Sequence, residues 1–141
     1  MFFCVIIIVH DFFFDKVSFT MSKNTVGKQG ELLAREFLQK AGYALLAANY
    51  STRQGELDIV AQDGNDVVFI EVKARRSRRF GTAAEAVTWR KRQHIMATAL
   101  FFLQKERPRC KSYRFDVIEV YLSESGGLNE INHIKEAFSY D

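Results

Sequence analysis

Cysteine is almost missing from this chain: Cys4 and Cys110 are the only two, in no motif and with no histidine at metal-ligand spacing. That excludes a disulfide framework and points to a reducing, cytoplasmic setting. Histidine is equally sparse, and His10, His94 and His133 are too scattered for a zinc site. Long hydrophobic runs are lacking too. The longest, Phe2–Val9, is too short to span a bilayer. It has neither the basic n-region nor the small-residue cleavage site of a secretory signal. With no repeats and no interior linker, 141 residues read as one domain, long enough to bury a core unaided.

What is present is apolar and unevenly charged. An apolar content of 48% with 13% aromatics argues against disorder. The net charge is only +3, yet residues 73–92 hold Lys73, Arg75, Arg76, Arg78, Arg79, Arg90, Lys91 and Arg92 against the single acid Glu85. Such clustering suits a polyanionic partner, nucleic acid above all. The first twenty residues, "MFFCVIIIVHDFFFDKVSFT", differ from everything that follows. Met21 opens an ordinary polar leader, so residues 1–20 are expected to be an upstream extension outside the fold. The rival reading is an amphipathic membrane anchor, for which the segment has few basic residues.

The spacing of Leu33, Phe37 and Ala41, with Ala34 and Leu38 beside them, predicts a helix from Gly27 to Ala41, stopped by Gly42. Residues 43–50 follow as a short strand, then strands near 56–61 and 67–74 joined through "QDGND". A second helix is predicted from Thr88, its N-cap, to about Lys105, with Ile95, Met96, Ala99, Leu100, Phe102 and Leu103 as its core stripe. Residues 112–122 make a strand; residues 128–138 stay open between strand and helix. This order implies one α/β domain with a mixed sheet flanked by helices.

The informative stretch is "GELDIVAQDGNDVVFIEVKAR", residues 55–75. It sets Asp58, Glu71 and Lys73 inside apolar strands, where an unpaired charge is costly. Asp63–Gly64 favours a two-residue type I′ turn, which pairs residue i with residue 127 − i. Asp58 then faces Phe69, and Glu71 is its diagonal neighbour on the same face as Lys73. Two converging carboxylates suit Mg²⁺ or Mn²⁺, with water and phosphate oxygens filling the other positions. Such an ion supports phosphodiester hydrolysis, and a lysine beside it serves the attacking water or the developing charge.

Asp followed by Glu-x-Lys on the next strand is the pattern of the PD-(D/E)xK nucleases, here with Leu57 in place of the proline. More widely, "GKQGELLAREFLQKAGY", "RQGELDIVA", "VFIEVKAR", "FGTAAEAV", "KRQHI" and "RFDVIEV" resemble, in collinear order over residues 24–138, the YraN family of uncharacterised bacterial proteins. That family is similar to archaeal Holliday-junction resolvases. The resemblance implies a restriction-endonuclease-like fold, DNA as substrate, branched or otherwise structured DNA included, and a homodimer by analogy with resolvases. It also implies a first-helix glutamate at the site, here Glu31, joining Asp58 and Glu71 as metal ligands, with Lys73 completing the catalytic set. One departure is Trp89, where the family pattern places proline.

Each residue has a plainer reading. An isolated Glu-x-Lys is a solvated strand face, and Glu31 from sequence alone is a first-turn acid complementing its helix dipole. Arg75, Arg76, Arg78 and Arg79 are either phosphate-backbone contacts or a solvated loop. Arg90, Lys91 and Arg92 at a helix start oppose the dipole unless an anion helps. Phe80 and Trp89 are expected in the core more than stacked on bases. Two functional classes remain: a Mg²⁺-dependent endonuclease, or a non-catalytic nucleic-acid-binding module on the same fold. No helix reads as base-specific, so sequence-specific cleavage is not expected.

Overall fold

The computed structural model describes residues 25–76 and 87–140. Residues 1–20, Met21, Arg78, Arg79 and Phe80 lie outside them. The elements run α1 (Thr25–Lys40), β1 (Ala44–Ser51), β2 (Glu56–Asp63), β3 (Asp66–Arg75), α2 (Trp89–Glu106), β4 (Ser112–Leu122) and β5 (Leu128–Phe138). The strands form one sheet in the order β1-β2-β3-β4-β5. Only β3 and β4 are parallel; the other neighbours are antiparallel. A parallel pair needs a crossover connection, and α2 lies between these two strands in the chain. The open tail 128–138 resolves as a strand closing the sheet at β4.

A helix covers each face, so the central strands are buried on both sides and read as continuous apolar runs. Under α1, Ala34 and Leu38 pack with Val68, Ile70 and Val72. Under α2, Ile95, Met96, Ala99 and Phe102 pack with Val67 and Phe69. Two expected core positions miss it: Ala41 lies past the end of α1 and is exposed, and Leu100 is 40% exposed on the outer side of α2.

Both helices carry local features that fix their placement. Gly30 is buried, and a Cβ there would stand 2.3 Å from the Ala74 Cβ, so only glycine lets α1 approach β3 this closely. In α2, Thr88 is the N-cap as expected, its Oγ1 accepting from the Lys91 N–H at 3.3 Å.

The β2–β3 hairpin departs from the expected register by one turn position. It pairs Asp63 with Asp66 and Val60 with Phe69, so Asp58 does not face Phe69. Gly64 takes the first central turn position at φ 58°, as in Gly-X hairpin turns. The turn is tied to the start of β4, where the Lys111 N–H donates to the Asn65 carbonyl and the Ser112 hydroxyl to the Asp66 carboxylate. Because the pairing sum moves by two, every side chain keeps its face. The ladder's last pair is Ile59 with Ile70, and Asp58 and Glu71 are the next residue on each strand.

Candidate functional site

Asp58 and Glu71 meet just beyond the last β2–β3 pair, with Glu71 facing Lys91 of α2. The side chain of Glu71 is only 4% exposed, and two ammonium groups flank its Oε1: Lys73 Nζ at 3.2 Å and Lys91 Nζ at 3.7 Å. Asp58 Oδ2 accepts the Val72 backbone N–H at 2.8 Å, which ties the carboxylate to β3. Burial, the Glu71 charge and a hydrogen bond shared with Glu71 push Asp58 up to about 7, against the lowering pull of the Val72 N–H and Lys91. Two acids held this close cannot both ionise without help. They share a hydrogen bond, and the cations beside them are Lys73 and Lys91.

Glu31 stands near this pair without joining it. Burial and then the Asp58 charge raise it, opposed by Arg35 and by a hydrogen bond from the Asn49 side chain. Arg35 Nη2 lies 3.6 Å from its Oε2, one helical turn on. The first turn of α1 contains no acid, so Glu31 is not the dipole-complementing residue of the plainer reading. Among the described residues no three His, Cys, Asp or Glu side chains converge closely enough to hold one ion. Asp58 and Glu71 share a hydrogen bond, and Glu31 adds negative potential beside them.

Two residues near the site were not anticipated. Asn49 adopts φ 50°, a left-handed conformation that asparagine tolerates better than most side chains. It lies between the pairs Ala48–Ile59 and Tyr50–Leu57, hence opposite Asp58 on the other side of β2. A lone polar residue in "YALLAANY" was its only signal. Glu119 is buried on β4 in register with Lys73, and Asn132 Nδ2 lies 3.4 Å from its Oε2. The signal for Glu119 was the same as for Glu71: a glutamate inside an apolar strand, "DVIEVYL".

The basic residues separate into distinct groups. Lys91 points at Glu71, while Arg90 and Arg76 are exposed and Arg75 is half-buried at the end of β3. Arg92 is turned inward, its Nε donating to the Val87 carbonyl at 2.9 Å and its guanidinium lying over the Phe138 ring. Trp89 is not core: it is 75% exposed at the start of α2.

A mixed α/β sheet between two helices, with an acid pair and a lysine on its central strands, is consistent with the restriction-endonuclease-like class. The chain belongs to the uncharacterised protein family UPF0102, whose model matches residues 30–120. It is 45% identical over 118 residues to a UPF0102 protein of Caldicellulosiruptor saccharolyticus, spanning 84% of this chain and all of that one. A UPF0102 protein of Syntrophus aciditrophicus is 44% identical over 121 residues, 85% of this chain and 94% of its own. One from Symbiobacterium thermophilum is 46% identical over 106 residues, 73% of this chain and 87% of its own. No helix among the described residues is long and apolar enough to cross a membrane.

Proposed function

We propose that this protein is a metal-dependent endonuclease that hydrolyses phosphodiester bonds of DNA, with branched or structured DNA as the favoured class. The observation that carries this reading is the convergence of Asp58 and Glu71, with Lys73 Nζ 3.2 Å from Glu71 Oε1. The donor set is hard oxygen, and the pair needs positive charge, so it fits Mg²⁺ or Mn²⁺ better than a softer metal. An ion there would supply Lewis-acid stabilisation of the phosphate and a polarised water.

The chain's own groups have separable tasks. Asp58 is held by the Val72 N–H while it shares a hydrogen bond with Glu71. Lys73 leaves the same face of β3 as Glu71 and is placed to orient the attacking water or to offset charge developing on the phosphorane. Arg75 ends β3, Arg76 follows it and Arg90 opens α2; they suit backbone phosphates, which give affinity and orientation without sequence preference. The exposed indole of Trp89 offers a stacking surface to an unpaired base.

The second reading, a non-catalytic nucleic-acid-binding module, draws on one specific observation: Lys73 and Lys91 already flank Glu71 within the protein. One experiment separates the two. Residues 21–141 are incubated with Mg²⁺ or Mn²⁺ and labelled duplex, single-stranded, flap and four-way-junction DNA, and RNA. Fluorescence of the sole tryptophan, Trp89, reports binding. Cleavage that Asp58→Ala and Lys73→Ala both reduce by at least about a hundredfold is the expected result. Binding with quenched fluorescence but no cutting in any protein would leave the module reading standing.

A further inference from the structure

We infer that Lys91 is an exchangeable counter-cation: it occupies Glu71 when the centre is metal-free and passes to a backbone phosphate of the bound nucleic acid when a divalent ion arrives. This rests on the metal-centre reading above and assigns Lys91 a role that reading does not contain.

Three observations converge on it. Both lysines address the same carboxylate oxygen, Oε1 of Glu71, at 3.2 Å for Lys73 and 3.7 Å for Lys91. A divalent ion binding that oxygen would sit at about 2.1 Å from it. Both ammoniums would then lie within a few ångströms of a double positive charge, where repulsion is strong. At least one must leave.

The two lysines differ in freedom to do so. Lys73 rises from β3, which is hydrogen-bonded on both sides by β2 and β4. Lys91 rises from the first turn of α2 and is the more exposed, 40% against 29%. Its position also opposes the dipole of α2, whose first turn has no acidic residue, so helix stability does not account for it. What holds Lys91 in place is Glu71, and metal binding removes that hold. With Asp58 and Glu71 both engaged by the ion, a half-exposed ammonium beside a metal-bound phosphate has the adjoining backbone phosphate to move to. Ion and nucleic acid thereby bind cooperatively, because the first releases a contact for the second.

The test begins with Mn²⁺ alone, its affinity read by calorimetry and by the electron-spin-resonance signal of free Mn²⁺. Lys91→Ala is expected to bind Mn²⁺ about three- to tenfold more tightly than wild type at low salt, the gap narrowing as salt rises. Lys91→Arg restores the competing charge and the weaker affinity. Lys105→Ala, in the last turn of the same helix, removes one charge away from the centre and leaves the affinity unchanged. The second reading is the salt dependence of binding to four-way-junction DNA. In EDTA, wild type and Lys91→Ala share one log–log slope; with Ca²⁺ in place of Mn²⁺, wild type is steeper by about one. Equal Mn²⁺ affinities, or a slope difference already present in EDTA, overturn the exchange and make Lys91 a fixed contact while the metal centre stands. Failure of every protein to bind Mn²⁺ overturns the metal centre itself, and the exchange with it.

Discussion

The protein buries two acid clusters on opposite faces of one sheet, and they are built on opposite terms. On the α1 side, the fully buried Asp116 is surrounded by donors: Arg114 Nε at 3.1 Å, His133 Nε2 at 2.7 Å and the Glu136 N–H at 3.0 Å. Arg114 also reaches Asp63, at 3.0 Å, and Asp66, at 3.7 Å, so it locks the β2–β3 turn to β4. Burial alone would raise Asp116, but the hydrogen bonds from His133, Glu136 and Arg114 outweigh it and hold the carboxyl below its ordinary range. Asp58, by contrast, has one backbone donor and faces another acid. The first cluster is complete within the fold. The second has Lys73 and Lys91 beside Glu71, yet Asp58 is still pushed up to about 7, so this cluster is not balanced by its own cations.

The sharpest way to break this comparison is to remove each acid in turn. Asp116→Ala leaves Arg114 and His133 buried without their main partner and should lower unfolding free energy by ~3–5 kcal/mol. Denaturant unfolding of a folded, soluble protein measures it. A smaller change of opposite sign is expected for Asp58→Asn. The new amide can still accept from the Val72 N–H while donating to Glu71, so stability should rise by ~0.5–2 kcal/mol while cleavage is lost. If both substitutions destabilise alike, the clusters are of one kind and the distinction fails.

How much of this was legible in the sequence follows from where the information lies. Local signals carried the element order, the Thr88 cap of α2 and the shared face of Glu71 and Lys73, since strand alternation survives a turn displaced by one residue. The turn itself was missed because contacts from Lys111 and Ser112, far along the chain, help to fix it. Asn49 and Glu119 were missed because their role depends on which strands become neighbours. Trp89 and Leu100 were misplaced for a related reason: helical periodicity gives a stripe but not how far around it the sheet reaches. Arg92 belongs to the same group, since only packing against Phe138 separates it from the outward Arg90.

The mildest perturbation, pH, should divide the two clusters without any mutation. Asp58 titrates near 7 when folded, against an ordinary value of 3.8, so between about pH 4 and 7 the folded state holds a proton that the unfolded chain has released. Stability therefore falls as pH rises through that window, by at most ~1.4 kcal/mol per unit, and levels off above it. Asp116 works in the other direction. Its folded value lies below 3.8, so its contribution is present above that pH and is lost on acidification. Unfolding curves from pH 3 to 8 should show an acid limb, which belongs to Asp116, and a decline towards neutrality, which belongs to Asp58. Asp58→Asn should flatten the decline and leave the acid limb. If the proposed centre takes Mg²⁺, the ion should oppose the decline in wild type, because it would bind the ionised pair and favour the state that high pH produces. A wild-type profile parallel to that of Asp58→Asn between pH 4 and 7 would mean that Asp58 carries no shared proton. The electrostatic reason for a cation at Asp58 and Glu71 would then be gone.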